Sequence, residues 1–365
     1  MKQRKITLIS GEGDPADPRT WSGTLYNLIG GFKTIGCGVT GVNLLPPRLL
    51  RAAFAALTLV TGYGREFRRT RFFSHFSNLK ISKSAGADSV FLHMGYCTIP
   101  FRRKQGDGYH AAYLDTTFNQ ISRYVIKPYS DALYRKYENL EKAILQAADH
   151  VFTVSECARE DLIDHYALPP EKVTHAGTGF GMIQPWEGKR DYSSRTILFV
   201  AKQRFEEKGG LLLLEGFRLA QARDPRLKLV VVATEPYRSL VEAIPGTEFR
   251  SGIPWKELEG LFNTSSLFAM PAIREPWGLV YLEALACRTP ILGLNRNAVP
   301  EFTQHGKFGF MVDEPSVESV ASALCEALSD TERLANMGCL AQKHVQNFYS
   351  WDRTAMRIAN VLFQK

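Results

Sequence analysis

The sequence predicts an α/β protein made of two doubly wound domains, each a parallel sheet covered by helices on both faces. Three observations lead there. The chain has 365 residues, more than the roughly 100–200 that one domain usually takes. Along it, short apolar runs of strand length alternate with longer stretches of helical period. Those short runs are apolar throughout, which marks strands buried on both faces of a parallel sheet.

In the first half, KITLIS (5–10) reads as a strand and TWSGTLYNLIGGF (20–32) as a turn entering a helix. DSVFLHMG (88–95) and HAAYLD (110–115) read as strands, and YSDALYRKYENLEKAILQAAD (129–149) as a long helix. HVFTVSE is a strand followed by the helix CAREDLIDHYAL, and KVTHAGTGF is a further strand ending in glycines. The polar stretch GMIQPWEGKRDYSS (181–194) has no periodicity and reads as an interdomain linker.

The second half is clearer. TILFVAK, LKLVVVAT, TEFRSG, SLFAMPA, PILGLN and GFMVD read as strands. Between them lie the helical stretches LLLLEGFRLAQARD, PYRSLVEAI, PWKELEGLFNTS, WGLVYLEALACR and AVPEFTQHG. SVESVASALCEALSD and TERLANMGCLAQKHVQNF close the series, and WDRTAMRIANVLFQK is a last amphipathic helix. These elements place one domain at residues 1–183, a second at 184–347 and a terminal helix at 348–365 that packs back on the first domain. In such folds ligands bind outside the carboxyl ends of the strands.

Composition narrows the classes. With 45% hydrophobic and 22% charged residues, the chain has an ordinary globular make-up. The longest apolar run, AAFAALTLV (52–60), is far below the about 20 residues that cross a bilayer. MKQRKITLIS lacks the apolar length of a secretory signal. A cytoplasmic location is therefore expected. Cys37, Cys97, Cys157, Cys287, Cys325 and Cys339 are scattered, as suits reduced structural thiols.

The net charge of +8 is concentrated. Between residues 44 and 83 lie Arg48, Arg51, Arg65, Arg68, Arg69, Arg71, Lys80 and Lys83 against Glu66 alone, interleaved with leucines and phenylalanines. Such a segment suits an anionic membrane surface. It equally suits a solvated helix face whose aromatics belong to the core. No nucleic-acid motif accompanies the charge, so no nucleic-acid partner is expected.

A GxSxG elbow, P-loop, HExxH, metal-spaced His/Cys set and Asp-x-Asp pair are all missing, so no metal site or cofactor is expected. What remains is IREPWGLVYLEALACRTP (273–290), with Glu275 before a glycine turn and Glu283 inside the helix that follows. The strand LFAMPA delivers the chain to Glu275, and the helix starting at Gly278 and Leu279 offers unpartnered N–H groups to a diphosphate. Glu275 can then accept from sugar hydroxyls and Glu283 from a ribose diol, making a clamp on a nucleotide sugar. By spacing alone the pair can also be a dipole-matching glutamate and a solvated one.

REPWGLVYLEALACRTPI resembles the E-x7-E region of retaining glycosyltransferases of family 4, whose usual form is close to E-P-F-G-L-x-x-L-E-A-M-A-x-G-x-P-V. Glu275, Pro276, Gly278, Leu279, Leu282, Glu283, Ala284, Ala286 and Pro290 match, with Trp277 for the usual Phe and Arg288 for the usual Gly. LFVAKQRFEEKGG resembles the family's diphosphate-binding strand–loop, with Lys202 and Lys208 in the basic places, Ala201 for the customary Gly, and Arg204 a rival to Lys202. DPRTWSGTLYNL resembles an N-terminal loop in which Gly23 lets backbone approach the donor phosphate or acceptor.

The resemblance implies the GT-B fold, with two Rossmann-like domains facing each other across a cleft. It implies Glu275 on the donor hexose and Glu283 on the ribose. Many family members carry a His near the reacting carbon; here Leu114 stands at about that place, leaving Asp115, then His93, with His110 a further candidate. The expected function is retaining transfer of a hexose from a nucleoside-diphosphate sugar to a saccharide or lipid-linked acceptor. The basic window favours work at the inner face of a membrane, in envelope polysaccharide, lipopolysaccharide or glycolipid synthesis. The alternatives are a sugar-nucleotide epimerase of the same fold and a non-catalytic sugar-nucleotide-binding protein.

Overall fold

The computed structural model describes residues 4–62, 66–81, 86, 88–100, 106–124 and 129–364. The chain divides into two compact units: residues 1–179 with 351–365, and residues 180–350.

The first unit holds β1 (Lys5–Ser10), α1 (Thr24–Thr34), β2 (Gly38–Asn43), α2 (Arg48–Val60), α3 (Arg71–Ile81), β3 (Val90–Met94) and β4 (Tyr109–Leu114). It continues through α4 (Phe118–Ser122), α5 (Asp131–Ala147), β5 (His150–Thr153), α6 (Glu156–Asp164) and β6 (Val173–His175). Its strands form one parallel sheet of order β2-β1-β3-β4-β5-β6. Ile6, Leu8, Phe91, Leu92, Ala111, Tyr113, Val151 and Phe152 make its inner strands apolar on both faces. β2 is a half-exposed edge strand, GVTGVN.

The second unit holds β7 (Thr196–Ala201), α7 (Gly210–Arg223), β8 (Lys228–Ala233), α8 (Arg238–Glu242), β9 (Thr247–Arg250), α9 (Trp255–Thr264) and β10 (Leu267–Ala269). Then come α10 (Leu279–Ala286), β11 (Ile291–Leu294), α11 (Val299–Thr303), β12 (Gly309–Val312), α12 (Val317–Ser329) and α13 (Thr331–Phe348). Its parallel sheet has the order β12-β11-β10-β7-β8-β9. This is the doubly wound order, reversing direction between β7 and β10.

The stretch read as a linker, 181–194, lies in the second unit and is pinned to it. Gln342 donates to the Trp186 carbonyl at 2.6 Å, Arg190 donates to the Phe262 carbonyl at 2.7 Å, and the Tyr192 hydroxyl donates to the Arg288 carbonyl at 2.6 Å. Arg288 sits in the left-handed region (φ 58°), which explains why a glycine is usual there. Its guanidinium recovers a 2.7 Å bond to Gln342.

α14 (Trp351–Phe363) returns to the first unit and lies against α1. A Cβ on Gly31 of α1 would stand 2.4 Å from the Trp351 carbonyl oxygen, so the two helices touch backbone to backbone. Thr354, Ala355, Ile358, Ala359 and Leu362 form the buried face of α14.

Candidate functional site

In the second sheet the chain leaves β7 toward β8 and β9, but leaves β10 toward β11 and β12. Loops at the carboxyl ends of β7 and β10 therefore diverge, which opens a recess at that edge. Lys202, Arg204 and Lys208 lie on the loop after β7; Glu275 lies on the loop after β10.

The two loops are stitched by alternating charge. Arg204 approaches Glu207 and Glu275 at 3.6 Å each, Lys208 approaches the same Glu275 oxygen at 3.4 Å, and Arg274 reaches Glu207 at 3.3 Å. Glu275 and Lys208 are largely buried, so these charges are screened less than surface pairs. Gly209 allows the approach. It has φ 78°, and a Cβ there would stand 2.0 Å from the Pro271 carbonyl oxygen, so only glycine fits where the first loop crosses the second.

The turn carrying Glu275 is anchored by its neighbour. Trp277 is buried edge-on against Phe302, with ring centroids 4.4 Å apart, and near Tyr349. The Tyr281 hydroxyl donates to the Met270 carbonyl at 2.5 Å, fixing α10 to the same loop. Gly278 is the residue before α10 and Leu279 its first residue.

Glu283 lies on α10 with 6% of its surface exposed. It accepts the Met182 N–H at 2.9 Å. Gly181 makes room for it: a Cβ there would stand 2.0 Å from the carboxylate oxygen. Burial pushes the Glu283 carboxyl up to about 7, against opposing pulls from the Met182 and Ile183 amides and from Lys202 and Lys208. Lys202 takes a different direction from Arg204 and Lys208. Its ammonium lies 3.8 Å above the centroid of the Trp255 indole, and partial burial lowers its pKa while the Glu283 carboxylate acts to raise it.

The structure thus brings Arg204, Lys208 and Glu275 into one ion cluster. Lys202, Gly278, Leu279 and Glu283 lie at the same sheet edge. The other three candidates belong to the first unit. Gly23 (φ 80°) precedes α1, and Asp115 is the half-buried residue that follows β4. His93 is fully buried in β3, where its ring meets Thr98 at 3.0 Å and His110 at 2.9 Å. The loop after Asp115 is braced: Thr117 and Asn119 bond Asp161 at 2.5 and 2.6 Å, and the Phe118 N–H donates to buried Glu141 at 2.8 Å.

The basic window resolves into α2 and α3 with the segment between them; Arg65 and Lys83 lie outside the described residues. Its phenylalanines pack on one another, Phe54 with Phe67 and Phe76, and Phe73 with Phe67. Arg68 pairs with Glu12, and Arg69 turns inward to donate to the Tyr96 hydroxyl at 2.9 Å over the Phe118 ring. Leu49, Leu57, Leu59 and Val60 of α2 are instead exposed, at 88, 40, 59 and 87%. Among the described residues no helix is long and apolar enough to cross a membrane, and no cluster of three or more His, Cys, Asp or Glu could hold a metal ion.

Sequence reasoning missed Trp255, since a tryptophan after a proline at a helix start carries no signal of its neighbours. It also missed the Gly181–Met182 backbone that seats Glu283; the glycine in a polar stretch was the available hint.

Two six-stranded, doubly wound parallel sheets are the architecture of the GT-B class of glycosyltransferase. The family models agree. "Glycosyltransferase Family 4" matches residues 24–180 and "Glycosyl transferases group 1" matches 185–344, between them most of the chain. The chain belongs to these glycosyltransferases.

Among relatives, a D-inositol 3-phosphate glycosyltransferase of Rhodococcus opacus is 26% identical over 238 residues, which is 59% of this chain and 53% of that protein. A GDP-mannose-dependent alpha-(1-6)-phosphatidylinositol monomannoside mannosyltransferase of Mycobacterium tuberculosis is 32% identical over 169 residues, 42% of this chain and 44% of that one. The chain thus spans about half the length of the curated relatives it matches. A sucrose-phosphate synthase from Thermosynechococcus elongatus superposes with TM-score 0.71 at 16% identity, covering 99% of both chains. WaaG, a glycosyltransferase involved in lipopolysaccharide biosynthesis, gives 0.69 at 14%, covering 99% of this chain and 100% of that one. At such identities the likeness concerns the fold.

Proposed function

We propose that the protein transfers a hexose from a nucleoside-diphosphate sugar to a hydroxyl of a saccharide or lipid-linked acceptor, with retention of anomeric configuration, in envelope polysaccharide or glycolipid synthesis. The observation that carries this reading is the meeting of Arg204, Lys208 and Glu275 at the switch point of the second sheet. Both cations face Glu275. When the diphosphate arrives they turn to it, and Glu275 is released to accept from hexose hydroxyls. Glu283 holds the ribose diol from its seat on the Met182 amide.

As the glycosidic bond breaks, negative charge grows on the leaving phosphate, and Arg204, Lys208 and Lys202 are the side chains assigned to stabilise it. With three cations to do this, we assign no metal ion to the step. The acceptor hydroxyl attacks from the face the phosphate leaves, and the phosphate oxygen takes its proton. Asp115, on its braced loop, is assigned to the acceptor side, with His93 behind it in the sheet. Relatives named for D-inositol 3-phosphate and a phosphatidylinositol monomannoside support a phosphorylated-polyol or glycolipid acceptor.

A lipid-borne acceptor calls for contact with a membrane, and we assign it to α2. Its exposed leucines and Val60 would enter the interface, with Arg48, Arg71 and Lys80 beside them at anionic headgroups. This would put the protein at the cytoplasmic face of a membrane.

Calorimetric titration with UDP-, GDP- and dTDP-sugars tests the donor site. One nucleotide class should bind wild type, and Lys208→Ala should weaken it by about 1.5–3 kcal/mol, the worth of a hydrogen bond to a charged group. If none binds, or Lys208→Ala binds as wild type does, the assignment is wrong.

A further inference from the structure

The reading above leaves Trp255 without a role, although it shares the edge where the ion cluster lies. It opens α9, directly after β9, and β9 neighbours β8, which neighbours β7. The residue is 45% exposed, whereas Trp277, two residues after Glu275, is buried in aromatic packing. The Lys202 ammonium rests 3.8 Å from the Trp255 ring centroid. We propose that Trp255 is the stacking platform for the nucleobase of the donor, and that Lys202 leaves the indole face for the diphosphate as the base arrives.

The inference rests on the donor site proposed above, and it follows the linear order of a nucleoside diphosphate. Arg204 and Lys208 are assigned to the phosphates and Glu283 to the ribose, so the base must lie beyond Glu283. Lys202 links those places: its ammonium lies over the Trp255 ring, within reach of the charge of the Glu283 carboxylate. A lysine stem reaching from the loop after β7 to Trp255 can equally swing back toward Lys208. A cation over an exposed ring is held weakly compared with a cation on phosphate, so the exchange runs toward the bound state. Every base has a π-face, so a flat indole supplies affinity to each of them and leaves the choice of base to hydrogen bonds elsewhere.

The test compares UDP, GDP, dTDP and inorganic pyrophosphate on wild type, Trp255→Ala and Trp255→Phe by calorimetry. Trp255→Ala should weaken the nucleoside diphosphate that wild type binds by about tenfold, the effect of losing one base–aromatic stack. Trp255→Phe should retain most of the affinity. Pyrophosphate should bind Trp255→Ala at least as well as wild type, since Lys202 is then free of the ring. Trp emission should be quenched by nucleotide in wild type and less so in Trp255→Phe. Equal nucleotide affinity in Trp255→Ala overturns the stacking role alone. A matching loss of pyrophosphate overturns it too, by showing that Trp255 acts only through Lys202. Wild type binding none of the four overturns both the stacking and the donor site.

Discussion

Replacing Glu283 by glutamine should make the second unit more stable, and more so as pH rises. The carboxyl is buried and pushed up to about 7 in the folded chain, against 4.5 for an ordinary glutamate. Between those values the folded state still holds a proton that the unfolded state has lost, so stability falls as pH climbs. The contribution is fully present below about 4.5 and lost as pH passes about 7. A gap of that size corresponds to about 3 kcal/mol, most of it lost between about pH 5 and pH 8. Glutamine keeps an acceptor for the Met182 amide and does not titrate. The cost of its extra N–H group is the same at every pH and cancels from the slope. At about 2–4 °C per kcal/mol for a unit of this size, the melting temperature of Glu283→Gln relative to wild type should rise by about 5–10 °C over that pH range. Calorimetric melts of both proteins at several pH values read this directly. A difference that stays flat with pH would show that burial does not raise the Glu283 pKa, and the argument would fail. On the donor site proposed above, the same substitution should also weaken binding of the nucleotide sugar.

Gly209→Ala should destabilise the second unit by about 3 kcal/mol, because the new methyl meets the Pro271 carbonyl in a left-handed backbone; urea unfolding measures it, and a change under about 0.5 kcal/mol would refute the crossing described. Leu57→Gln combined with Val60→Gln should weaken binding to vesicles of anionic lipid, read by sedimentation, by about a hundredfold, each exposed side chain being worth about 1.5 kcal/mol or more on burial. Unchanged binding would remove α2 from the membrane assignment.

Much of the fold was legible because it rests on periodicity. β7 and β8, TILFVA and KLVVVA, are buried over nearly their whole length, and such runs have few alternatives. β2 escaped notice for the opposite reason: two glycines and a half-exposed edge erase the apolar signal. The 181–194 stretch leaves no period to read, because it is held by scattered hydrogen bonds donated by Arg190 and Tyr192 and accepted by the Trp186 carbonyl. At the site, Glu275, Lys208 and Glu283 were singled out by their resemblance to family motifs at strand ends, since spacing alone left the two glutamates open. That Arg204 joins Glu275 while Lys202 turns to Trp255 depends on the path of one loop. In the aromatic, basic window Phe54, Phe67, Phe73 and Phe76 pack on one another while Leu49, Leu57, Leu59 and Val60 of α2 are exposed, a division that composition does not reveal.

The second unit is enclosed in sequence by the first, which resumes only at Trp351. During synthesis, β1 to β6 emerge before the helix that covers α1, and α1 must wait while residues 180–350 are made. Leu25, Leu28 and Phe32 of α1 belong to the finished core. The second unit, contiguous in the chain, can complete its own packing in that interval. Any exchange of second units between relatives therefore needs two junctions, one near Gly179 and one near Ser350. A single crossover would carry α14 along with the foreign unit and seat a mismatched helix where α1 meets Trp351 through the bare backbone of Gly31.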